Sequence, residues 1–157
     1  SKNEAKNDFH WKEIIGLGHS KSVMESLPLN GSPLLNHENA PVLSYELFTE
    51  TITQNAILNL SAIPTHPITT DSDLRIAVQW NNEPIQMVNF KTEGRSSAWK
   101  QNVLSNKAEV LLPIAINEKG KQTLKIYMMD PGVLLDYIIL NTKDIILPYM
   151  LLSETVK

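Results

Sequence analysis

Period-two alternation of apolar and polar residues recurs along most of this chain, and it restricts the fold more than any other feature of the sequence. Leu74, Ile76, Val78 and Trp80 fall on one face, with Arg75, Ala77 and Gln79 on the other. Val110, Leu112, Ile114 and Ile116 repeat the pattern, as do Leu124, Ile126 and Met128, and Leu58, Leu60 and Ala62. Successive side chains of a strand point to opposite sides, so this period is that of a strand with one face buried. Further strands are expected at 9–15, 42–48 and 85–90. The run 133–140 is apolar on both faces except for Asp136, the pattern of a central strand covered on both sides.

Turn chemistry separates these runs. Asn30-Gly31, Pro64-Thr65-His66-Pro67, Asn81-Asn82-Glu83-Pro84, Lys119-Gly120 and Asp130-Pro131-Gly132 supply the positive φ and fixed corners that reversals need. Only 99–106 has helical spacing, with Trp99, Val103 and Leu104 on one face. Residues 20–41 read as a long irregular loop, and loops of that length in a compact domain are often functional. The expected fold is all-β: an antiparallel β-sandwich, jelly-roll-like, with one short helix. Residues 9–157 are expected to form this single domain, and 1–8 a disordered leading segment. A chain of 157 residues is long enough for one ordinary core.

Charge narrows the partners. A formal charge of −3 offers no basic field for a phosphate backbone, so no nucleic acid partner is expected. The longest strongly apolar stretch, 145–152, is broken by Pro148 and too short to span a bilayer, so no membrane partner is expected either. With no cysteine in the chain, disulfides, thiolate metal sites and a cysteine nucleophile are excluded.

The sequence holds no complete catalytic motif. There is no Gly-x-Ser-x-Gly elbow to present a serine nucleophile. His10, His19, His37 and His66 are scattered, without the paired spacing that preassembles a metal site, so neither metal nor cofactor is expected. Glycosidic chemistry needs two carboxylates about the scissile bond. Asp130, Asp136 and Asp144 are the late candidates, although Asp130 in Asp-Pro-Gly reads as a turn-starting residue. Gly16-Leu17-Gly18 lacks the third glycine and following helix of a phosphate loop and reads as a sharp turn after the first strand. Sugars stack on exposed rings while polar groups take their hydroxyls. Trp11, Trp80 and Trp99 are the tryptophans available for this, with core packing expected of Trp80 and Trp99.

The order of these motifs is informative. Residues 11–15 with Gly16-Leu17-Gly18-His19-Ser20, then Ala40-Pro41-Val42-Leu43-Ser44-Tyr45, Pro64-Thr65-His66-Pro67, the segments 74–80 and 99–106, Gly120-Lys121-Gln122-Thr123-Leu124-Lys125-Ile126 and Met129-Asp130-Pro131-Gly132-Val133-Leu134-Leu135 follow one another. This series resembles the C-terminal domain of glycoside hydrolase family 115 over roughly residues 9–142. Gln122 stands where that pattern usually has histidine, and 146–154 matches its end loosely. The resemblance implies a β-sandwich accessory domain of periplasmic or extracellular enzymes that remove glucuronic acid or its 4-O-methyl ether from xylan. The acid and base of that chemistry are then expected on a catalytic barrel domain outside this chain.

Two functions follow. The first is a non-catalytic module that supports the catalytic domain, a homodimer or the substrate cleft; it predicts an exposed apolar surface including 20–41 and the apolar tail. The second is an independent carbohydrate-binding module for a polysaccharide such as glucuronoxylan, which requires that Trp11, Trp80, Trp99 and Tyr45 not all be buried. A small hydrolase in its own right is the weakest reading. Trp11, His19, His66 and Asp130 are the expected carbohydrate contacts, since loops at one end of a sandwich gather residues from distant positions.

Overall fold

The computed structural model describes residues 2–4, 8–70 and 72–142. Its strands are β1 (Lys2–Glu4), β2 (His10–Ile15), β3 (Ser22–Leu27), β4 (Val42–Thr49), β5 (Thr53–Ala62), β6 (Arg75–Trp80), β7 (Gln86–Asn89), β8 (Ala108–Ile116), β9 (Gly120–Met128) and β10 (Leu134–Asn141); the helix α1 (Ser97–Ser105) lies between β7 and β8. They form two five-stranded antiparallel sheets, ordered β1-β4-β9-β6-β7 and β2-β3-β10-β5-β8. The alternation is what closes them into a sandwich. Leu58, Leu60 and Ala62 of β5 meet Ile76, Val78 and Trp80 of β6 and Leu124, Ile126 and Met128 of β9 in one buried core. Each such large side chain contributes roughly 1.5–3 kcal/mol on burial.

Two expectations are corrected. The stretch 20–41 is not irregular throughout, because Ser22–Leu27 pairs with β2 on one side and β10 on the other. Its alternation is hidden by Ser26, which is buried but satisfied, its Oγ donating to the Asp130 carbonyl (2.9 Å) and accepting from the Val133 amide (2.8 Å). Lys2–Glu4, in the leading segment expected to be disordered, pairs with Val42–Ser44 at the margin of the other sheet. β10 is central as expected, although most of its residues are only half-buried.

The two ends of the sandwich differ. At one end the connections are short: 16–21, 50–52, 81–85 and 117–119. They are locked by side chains, among them Asn81, whose Oδ1 accepts from the Thr123 amide at 2.7 Å. Buried Gln122 accepts from Asn81 Nδ2 at 2.8 Å and donates to the Glu118 carbonyl at 2.9 Å. At the other end the chain makes its long crossings between sheets, through 28–41, 63–74, 90–107 with α1, and the tighter 129–133. Among the described residues no helix is long and apolar enough to cross a membrane.

Candidate functional site

Of the four expected carbohydrate contacts, two are removed from the surface. Trp11 is 2% exposed in the core, so neither ring face can receive a sugar. Asp130 is fully buried, and its carboxylate takes Arg75 in a bidentate pair, Nε to Oδ2 and NH2 to Oδ1 both at 2.8 Å, while Oδ2 also accepts from the Arg75 amide. The carboxylate bonded in this way raises the Arg75 pKa. Asp130 therefore fastens the 129–133 crossing to the start of β6 instead of meeting a ligand.

His19 lies at the tip of the β2–β3 turn, where its task is local. Asp136 is the extra residue of an irregularity in the β10–β5 register, between Leu135 opposite Ala62 and Tyr137 opposite Ser61. A bulge re-aims a side chain, and here it turns the carboxylate toward the hairpin. There it accepts from the His19 amide (2.8 Å), His19 Nδ1 (3.0 Å), the Ser20 amide (3.2 Å) and Ser20 Oγ (2.9 Å). Gly18, at φ +80°, makes room for this; a Cβ there would collide with the Asp136 carboxylate and lie 2.7 Å from Val23 Cγ1. Asp136 is thus a saturated structural acceptor. With Asp130 paired and Asp144 outside the described residues, no free carboxylate pair remains among the late candidates.

A polar row continues from this corner across the outer face of the sheet. The His19 ring meets Tyr137 edge-on at 6.0 Å, and Tyr137 OH donates to Glu109 Oε1 at 3.1 Å. Asn59 Nδ2 donates to the same oxygen at 3.2 Å, and Lys107 Nζ is 3.0 Å from Oε2. Burial pushes the Glu109 carboxyl upward, but the hydrogen bonds from Lys107, Asn59 and Tyr137 outweigh it and hold the group below its ordinary range. Among the described residues no group of three or more His, Asp or Glu side chains could hold a metal ion.

His66 is exposed and belongs to the long-connection end. Its ring stacks on Trp99 of α1, centroids 5.6 Å apart and planes 24° from parallel, so His66 occupies part of a half-buried indole. The helix is well terminated: Ser96 Oγ accepts from the Trp99 amide at 3.1 Å, and Asn106 closes the other end in the left-handed region. Yet none of its residues is buried. Leu104 is 83% exposed, and Val103, Ile68, Leu29 and Leu35 are exposed on the same end of the sandwich. No printed contact joins any two of Trp11, His19, His66 and Asp130; the sequence named residues of three separate places.

A family model described as the glycosyl hydrolase family 115 C-terminal domain matches residues 1–152. The chain belongs to that family. Its fold is shared with a GH115 4-O-methyl-α-glucuronidase, BtGH115A, described as having specificity for decorated arabinogalactans, at a TM-score of 0.69 and 24% identity. That match takes in 85% of this GH115 C-terminal domain but only 16% of the solved chain. A family 35 carbohydrate binding module from Clostridium thermocellum shares the sandwich at a TM-score of 0.51 and 11% identity, over 89% of this chain and 92% of the module. No curated protein matches the sequence.

The family motifs now have physical meanings. In this GH115 C-terminal domain, Gly18-His19-Ser20 is the cradle of Asp136, and Asp130-Pro131-Gly132 carries the carboxylate that pins Arg75. Gln122, in the position where histidine is usual, joins two short turns. None of these groups is free to act on a substrate. What the long-connection end offers is surface: apolar side chains around a helix that covers nothing.

Proposed function

We propose that this chain is a non-catalytic accessory domain of a larger GH115 enzyme and that its long-connection end packs against the catalytic barrel. The observation that carries this reading is α1, a capped helix with no buried residue, presenting Leu104, Val103 and half-buried Trp99 beside exposed Ile68 and Leu35. Clustered exposed leucines on one end are costly in a free domain and ordinary at an interface between domains. That the domain accounts for 16% of the BtGH115A chain supports a parent of which it is a minor part. The parent would remove glucuronic acid or its 4-O-methyl ether from a decorated polysaccharide such as glucuronoxylan, in the periplasm or outside the cell.

The independent binding module gains no support from the four rings it required. Trp11 and Trp80 are buried, and Trp99 is stacked on by His66. Tyr45 packs against the core, where burial pushes its phenol up to about 12.

The test is association of the intact chain with the parent enzyme lacking this domain, followed by calorimetry. Saturable binding is expected, and Leu104→Glu should weaken it roughly tenfold or more, the loss of a central apolar contact. An unaltered affinity in the variant, no binding by the native chain, or self-association of the chain through the same face in place of barrel binding would each overturn the docking reading.

A further inference from the structure

At the end opposite α1, Phe48 projects from β4 with 74% of its surface exposed. β1 covers β4 only along Val42–Ser44, so Phe48 lies where no described strand flanks β4 on its outer side. Beside the ring is a shallow depression of about 480 Å³, lined by Phe48, Thr49, Glu50, Lys119 and Gly120. Gly120, at φ +112°, keeps it open, since a Cβ there would meet nothing within 4 Å. Among the described residues neither Glu50 nor Lys119 has a hydrogen bond or ion pair, whereas the neighbouring Lys121 is tied to Glu46 at 2.6 Å. Thr49 is buried, and its Oγ1 has no hydrogen-bond partner in the protein.

We propose that this depression is a subsite for a neutral pyranose ring of a polysaccharide. An exposed phenyl supplies the flat apolar face on which the C–H face of a sugar stacks. A hydroxyl both donates and accepts, and the unpaired flanks provide one partner for each role: the Glu50 carboxylate accepts and the Lys119 ammonium donates. The opposite signs also choose the ligand class. A uronate would be repelled by Glu50 and an amino sugar by Lys119, while a neutral ring suffers neither penalty. The volume falls within the range of roughly 300–1,000 Å³ usual for ligand clefts, and the open shape suits one residue of a long chain held from the side. The inference rests on the polysaccharide setting of the accessory-domain reading. It uses the other end of the molecule, so a failed glycan test leaves the docking test untouched.

The experiment is an amide chemical-shift titration of the intact chain with xylohexaose, cellohexaose and mannohexaose, and with sodium glucuronate as the charged comparison. At least one neutral hexaose should move the amides of residues 48–50 and 119–120 in a saturable way, and glucuronate should not. Phe48→Ala should weaken that binding roughly tenfold; because the ring is mostly exposed the variant keeps its fold, which its unchanged remaining spectrum will show. Trp99→Ala, at the far end, should bind as the native chain does. No response to any neutral hexaose, shifts confined to other residues, or Phe48→Ala binding at native affinity would overturn the proposal.

Discussion

Single side chains hold this sandwich at points where the sequence shows only a turn or an interruption. Asp130 illustrates the strongest case. Its carboxylate is fully buried and engaged by Arg75 through two side-chain bonds and one backbone bond. Removing one partner of a buried ion pair strands the other and costs about 3–5 kcal/mol. Asp130→Ala should therefore lower the unfolding free energy by an amount in that range, measured by urea denaturation; a loss near zero would show that the pair does not hold the 129–133 crossing. The Asp-Pro-Gly motif announced a structural aspartate, but the identity of its partner, Arg75, lies 55 residues away and no local pattern points to it. Asp136 was more legible, a lone acid in an apolar central run. Its link to Gly18-His19-Ser20 depended on a register irregularity that periodicity cannot place. Trp11 misled because a tryptophan at the start of an alternating strand reads the same whether it faces core or solvent.

At the level of elements, alternation located the strands built on it, including β5, β6, β8 and β9, because each has one dry face. It failed at β3, where buried Ser26 interrupts the pattern. The helix was legible from Trp99, Val103 and Leu104, but their shared face turned out to lack a partner within the described chain. Since α1 buries nothing, its caps carry much of its order. Ser96→Ala removes the N-cap, costs about 1 kcal/mol locally, and should speed amide exchange along Ser97–Ser105 while leaving global unfolding unchanged; equal exchange in both proteins would contradict this. Between strands, Glu109 joins β8 to Asn59 of β5 and Tyr137 of β10. Its folded carboxyl sits below the ordinary 4.5, so its stabilisation is present above that value and is lost as pH falls through the lower folded one. Glu109→Gln should shrink the acid-side decline in stability below about pH 4.5, with only a small effect at pH 7 because the group is partly solvated. An identical pH profile for the variant would exclude the contribution.

The whole molecule is a scaffold with unlike ends. Short, side-chain-locked turns close one end, where Phe48 stands beside its open depression, and long crossings with α1 build the other. Sequence order sufficed to recognise the family, because the motifs follow one another in a series that the sandwich then explains piece by piece. The division of labour between the ends was not legible, since it depends on which connections the topology gathers together and on which apolar residues are left uncovered. The central claim is that the long-connection end is the face turned to the catalytic barrel. The most direct measurement is hydrogen–deuterium exchange of the intact chain with and without the parent enzyme lacking this domain. Protection confined to 28–41, 63–74 and 90–107 is the predicted result; protection centred on 16–21, 81–85 and 117–119, or none anywhere, would contradict it.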